Sequence, residues 1–96
     1  MHDAQTTKPA TDALTDLVNT ARSRAYLARR AGKAMTAKAL DDIAKTLDGA
    51  RTRLVEDGPD YLDAAWAFVD AGRKTLAGMH EAAPMLALIE KAGRGA

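Results

Sequence analysis

The chain has 96 residues, enough for one domain and too few for two. It contains no cysteine, which excludes disulfides and thiolate metal sites. Its 14 basic and 13 acidic side chains leave a net charge of +1, so the whole molecule is neither a polycation nor an acidic mimic of nucleic acid.

Residues 1–10 (MHDAQTTKPA) are polar and lack periodicity, and read as a flexible tail. Thr11 or Asp12 is placed to cap a helix, since a side-chain oxygen there accepts from the free amides of the first turn. Leu14, Leu17, Val18, Ala21, Ala25 and Ala28 then recur at helical spacing. Gly32 closes this helix by adopting the left-handed conformation, so the first helix is expected over 12–31. Thr36 is the expected cap of a second helix over 36–56. Its stripe of Leu40, Ile43, Leu47, Ala50 and Leu54 is the strongest periodic signal in the chain. Asp41 and Lys45, four residues apart, are expected to pair on its outer face.

Asp57-Gly58-Pro59-Asp60 is the clearest punctuation. Proline suits the first turn of a helix, where its missing amide has no partner, and Asp60 and Asp63 favour the positive end of the helix dipole. The third helix, over 59–77, carries Leu62, Ala65, Trp66, Phe68, Val69 and Leu76 on more than one face. Such a helix is central in a bundle or meets a partner. Gly78 ends it, Pro84 starts a short last helix over 85–91, and Gly93 closes that. No β-type alternation or internal repeat is present. The expected architecture is all-α: an antiparallel helical bundle of three long helices plus a short C-terminal helix. The domain spans 11–93 and a C-terminal tail covers 94–96.

Hydrophobic residues make up 47% of the chain, but nearly half of them are alanine and only Tyr26, Tyr61, Trp66 and Phe68 are aromatic. A large buried side chain contributes roughly 1.5–3 kcal/mol and a methyl group far less, so the core is thin for a monomer and a homodimer or a partner-stabilised fold is expected. Met1-His2-Asp3 has no basic run and no apolar segment after it, so no signal peptide is read. The longest apolar stretch, Pro84 to Ile89, is far short of the roughly 20 residues that cross a bilayer. These features, with the lack of cysteine, point to the cytoplasm. The richness in Ala, Arg, Asp and Gly suggests a bacterial or phage gene.

Charge is segregated. Arg22, Arg24, Arg29, Arg30, Lys33 and Lys38 fall in a segment with no acid, and Glu56, Asp57, Asp60, Asp63 and Asp70 in one with no base. The basic segment either contacts nucleic-acid phosphates, complements the acidic segment within the bundle or across a dimer, or is simply solvated. Leu27-Ala28-Arg29-Arg30-Ala31-Gly32 resembles the middle of a helix-turn-helix DNA-binding motif, which implies a recognition helix after the turn. That family places an apolar residue directly after the turn glycine and others five and eight positions beyond it. Here those positions hold Lys33, Lys38 and Asp41. The local reading is a helix C-terminus with favourable basic charge.

Arg73 and His80, with six residues between them across a helix break, resemble the Arg…His motif of the HEPN family. Its members are helical bundles and often dimeric, metal-independent RNases. The resemblance implies Arg73 stabilising a phosphate and His80 exchanging a proton near neutral pH. Lys74 stands where that family usually has a small polar residue, and the chain is short for the family. The alternative is a loop histidine beside a surface arginine. For metals, the chain offers only His2 and His80 and no Glu-x-x-His pair, and Asp57, Asp60 and Asp63 lack a calcium-loop pattern. No cofactor is expected, since neither a Gly-rich phosphate loop nor a serine-nucleophile setting is present.

The leading expectation is a non-enzymatic, homodimeric protein-interaction module: an adaptor, a regulatory subunit or a phage-type inhibitor. Tyr61, Trp66, Phe68 and Val69 are the expected association residues, because aromatic side chains anchor interfaces. Arg22, Arg29, Arg30 and Lys33 form the expected basic patch. The rivals are a nucleic-acid-binding accessory protein using residues 22–38, and the HEPN-like RNase.

Overall fold

The computed structural model describes residues 4–92. The sequence expectations for His2, Gly93 and the tail at 94–96 lie outside them. Four α-helices follow in order: α1 (Ala4–Arg30), α2 (Ala34–Asp57), α3 (Leu62–Leu76) and α4 (Ala83–Ala92). A 3-10 turn, Gly58–Tyr61, precedes α3, and another, His80–Ala82, precedes α4. There is no strand among the described residues, as expected.

The first helix begins well before its expected start. Thr11 is not its cap: its hydroxyl donates to the Thr7 carbonyl at 3.0 Å, and that of Thr15 to the Thr11 carbonyl at 2.9 Å, inside a continuing helix. Residues 4–10, read from sequence as tail, are helical despite Pro9. That proline removes one backbone hydrogen bond, to the carbonyl of residue 5, close to a helix end where few are made. Thr7 and Ala10 are buried, which supplies the tertiary contact that the local sequence does not advertise.

The α1–α2 connection is short because its carbonyls are satisfied in place. The Lys33 amide donates to the Ala28 carbonyl at 2.8 Å and the Gly32 amide to the Arg29 carbonyl at 3.1 Å, with Gly32 at φ 80°. This is the six-to-one and five-to-two pattern that ends a helix on a left-handed glycine. Helix α2 then starts at Ala34 without a side-chain cap, and Thr36 lies within it. Cross-links between α1 and α2 step in opposite senses along the two helices: Arg29 to Asp41, Arg22 to Asp48, and Thr15 to Arg51.

No non-helical residue separates α2 from α3; the helical run extends from 34 through 76 and bends at Gly58. A straight helix of that length would measure about 65 Å at 1.5 Å per residue. The longest dimension of the molecule is 47 Å. Gly58 stands at φ 73°, ψ −153°, and its amide donates to the Leu54 carbonyl. Beyond it α3 folds back on α2. A Cβ added at Gly72 would lie 3.7 Å from Cγ2 of Ile43, and Phe68 and Leu47 line the same groove.

Among the described residues nineteen apolar side chains are buried, and nine of them are alanine. The expected α1 stripe is buried throughout. On α2, Leu40, Leu47, Ala50 and Leu54 are buried with Ala44, while Ile43 is only partly so. Met85 and Ile89 of α4 complete the cluster. The thinnest dimension, 16 Å, leaves room for about two helix layers at 8–10 Å between axes. Every helix therefore keeps one side outward, and no aromatic ring is fully buried among the described residues.

One link pins the C-terminal part to the first turn: Lys33 Nζ donates to Glu81 Oε2 at 3.0 Å. The Lys33 hydrogen bond, then a backbone amide, then the charges of Lys33 and His80 hold the Glu81 carboxyl below its ordinary value of 4.5. A carboxyl whose folded pKa is depressed contributes stability above its unfolded pKa and loses it as pH falls through the folded value. Glu81→Gln is therefore expected to lower stability at neutral pH. It should also flatten the decline below pH 4.5, measured by urea unfolding at a series of pH values.

Candidate functional site

An open, mostly apolar groove of about 340 Å³ lies between α2 and α3. Ile43, Leu47 and Phe68 supply its bulk, and Ala39, Ala71 and Gly72 leave it shallow. Residues 39, 43 and 46 of α2 and 68, 72 and 75 of α3 share these inward sides through their three- and four-residue steps. The Gly72 position has no side chain, so Ile43 meets open space there rather than a neighbouring methyl group.

The expected association residues separate on folding. Phe68 is 41% exposed and stands in the groove. Val69 is 1% exposed and belongs to the core: one residue's step around the helix turns it inward. Tyr61 and Trp66 are half-buried and pack against the core cluster. Tyr61 also carries the Arg53 guanidinium 5.1 Å from its ring centroid, while Arg53 donates to Asp57 through Nε and Nη2.

The basic patch forms at the α1–α2 end but is largely paired. Arg29 meets Asp41 at 2.6 Å, Arg22 meets Asp48 at 3.7 Å, and Lys33 meets Glu81. Lys38 bonds Asp42 at 2.7 Å, which raises its pKa through that hydrogen bond and charge. Arg30 turns back on Tyr26, donating to its hydroxyl at 3.1 Å with the guanidinium 5.8 Å from the ring centroid. The carboxylates that answer the 22–38 segment are thus Asp41, Asp42, Asp48 and Glu81, not those of 56–70. The expected Asp41–Lys45 pair is replaced by Asp41–Arg29, because α1 brings an arginine fork to the same carboxylate.

Sequence reasoning missed three exposed apolar side chains near that end: Tyr26, Leu27 and Met35. Leu27 and Met35 fall just off the buried stripes, a position readable from the helical period once the stripe is fixed. Arg73, in the last turn of α3, and His80, on the 3-10 turn, are both exposed. No group of three or more His, Asp or Glu among the described residues is arranged to hold a metal ion. No described helix is long and apolar enough to cross a membrane.

Comparison of the chain with protein-family models, with curated proteins and with solved structures finds no match.

Proposed function

We propose that this chain is a non-enzymatic protein-interaction module. In this reading it is an antiparallel helical bundle of bacterial or phage origin, acting in the cytoplasm as an adaptor, regulatory subunit or inhibitor. It associates with itself and with another protein through the α2–α3 side. The observation that carries this is Phe68, a large ring left exposed beside an open apolar groove in a molecule short of buried bulk. Exposed aromatic anchors next to shallow apolar depressions are the usual energetic centres of protein interfaces. The nucleic-acid reading of the basic segment draws less support, because Arg22, Arg29, Lys33 and Lys38 each already face a carboxylate.

The test is affinity capture from the cells that produce the protein, comparing the wild-type chain with Phe68→Glu. A protein retained by the wild type in fixed proportion and lost with the folded variant is the expected result. Equal capture by both would overturn the reading. So would binding only to nucleic acid that disappears when Arg29, Arg30 and Lys33 are neutralised, or RNA cleavage that requires His80.

A further inference from the structure

We propose that the connection between α1 and α2 docks on an anionic phospholipid surface. Tyr26, Leu27 and Met35 enter the interfacial layer, and Arg30, Lys33 and Lys38 lie among its phosphates. The chain lies on the bilayer rather than spanning it. The contact does not use Phe68 and is independent of what fills the α2–α3 groove.

This tip of the molecule is bare. Every residue from Arg29 to Met35 is exposed, and so are Tyr26 and Leu27 just before them. Met35, at the start of α2, is 87% exposed. Three of the five large apolar side chains left exposed among the described residues therefore fall within ten positions, 26 to 35. Around α1, Arg30 lies between Tyr26 and Leu27, about 40° from one and about 60° from the other. Its guanidinium covers the Tyr26 ring and donates to the Tyr26 hydroxyl, so its charge is not met by a carboxylate there.

The same tip is positive. From Leu17 to Leu40 the chain has six bases and no acid. Folding adds the end of α3 and the 3-10 turn after it, since Lys33 bonds Glu81. Arg29 with Asp41, Lys38 with Asp42 and Lys33 with Glu81 cancel as pairs. What they leave at this end is Arg24, Arg30, Arg73 and Lys74 against Asp70, an excess of three positive charges. The whole chain has an excess of only one, so the rest of the molecule is net acidic. An anionic surface attracts this tip and repels the remainder, which sets the orientation.

The mixture of side chains selects lipid over other polyanions. Nucleic-acid phosphates reward the charge but leave Leu27 and Met35 in water. A protein partner covers a continuous patch, whereas Leu27 and Met35 project from separate helices with Arg30 and Lys33 between them. A fluid interface closes around each side chain on its own. It takes aliphatic and aromatic groups at the acyl boundary while long basic side chains reach the headgroups.

The test uses the absence of cysteine: Met35→Cys and Val55→Cys each carry an environment-sensitive fluorophore at one position. Val55 is also exposed but lies near the other end of α2. Vesicles of phosphatidylglycerol and phosphatidylcholine in equal parts should shift the Met35 probe to the blue and leave the Val55 probe unmoved. Phosphatidylcholine alone should move neither. In co-sedimentation with the anionic vesicles, unlabelled Arg30→Glu should bind about tenfold more weakly than the wild type, because reversal exchanges attraction for repulsion at the surface. The double variant Leu27→Ser, Met35→Ser should also lose about tenfold or more, through its apolar contact. Circular dichroism confirms that each variant is folded. A wild type that stays in the supernatant at low salt overturns the proposal, as does an equal response of the two probes or equal binding to phosphatidylcholine alone. Full retention of vesicle binding by the folded double variant, with duplex DNA bound as tightly, would assign the tip to phosphate alone and overturn it too.

Discussion

Leu17→Ala is expected to lower the free energy of unfolding by about 2–5 kcal/mol, the range for deleting a buried leucine side chain where the cavity cannot fully collapse. Leu17 is 0% exposed at the centre of α1, among Leu14, Val18 and Ala21. Its surroundings are rich in alanine, which has no side-chain torsion with which to close a void. A domain of this size has about 5–15 kcal/mol in total, so the loss is a large share of it. Urea unfolding followed by circular dichroism measures the effect. Leu27→Ala on the same helix, at a site 49% exposed, serves as the control and should stay within about 0.5 kcal/mol. Equal small effects at both sites would contradict the assigned core.

Gly58→Ala is expected to cost about 1–3 kcal/mol through the backbone alone. At φ 73° and ψ −153° the residue occupies a region essentially reserved for glycine, where a Cβ collides with its own peptide groups. Gly58 is also buried, so the turn cannot relax by swinging into solvent. It is the bend that returns α3 to α2, and strain there loosens α3 before α1. Trp66, the one tryptophan of the chain, sits on α3 and packs against the core. Its emission should shift to the red and lose cooperativity with the helical signal in Gly58→Ala. A variant as stable as the wild type, with unchanged emission, would show that the bend does not depend on this backbone conformation.

Much of the fold is legible in the residues because the helical period is strong where the leucines are. The stripes at 14–28 and 40–54 mark the buried sides of α1 and α2, and Gly32 and Gly58 mark the two reversals, both confirmed by positive φ. The start of α1 is not legible. Pro9 and a polar run mask a helix whose first turns are held by burial of Thr7 and Ala10, a tertiary effect with no local trace. The helix expected over 59–77 takes its first residues as a 3-10 turn, Gly58–Tyr61, because proline and glycine together look like punctuation whatever type of turn follows.

The candidate site was half visible. Phe68 stands out by type, yet its difference from Val69 emerges only when α2 takes one side of α3 and leaves the next open. The groove depends on Ile43 meeting Gly72 across twenty-nine positions of sequence, which no periodicity contains. The ion pairs behave the same way. Composition shows segregated charge, but which carboxylate answers Arg29 is decided by the register of α1 on α2.

The proposed self-association makes the melting temperature depend on how much protein is present. Calorimetry over a hundredfold range of concentration tests this most directly, since mass action stabilises an assembly that only folded chains can form. The wild-type Tm is expected to climb with concentration and that of Phe68→Glu to stay level. A wild-type Tm that is the same at every concentration would contradict it.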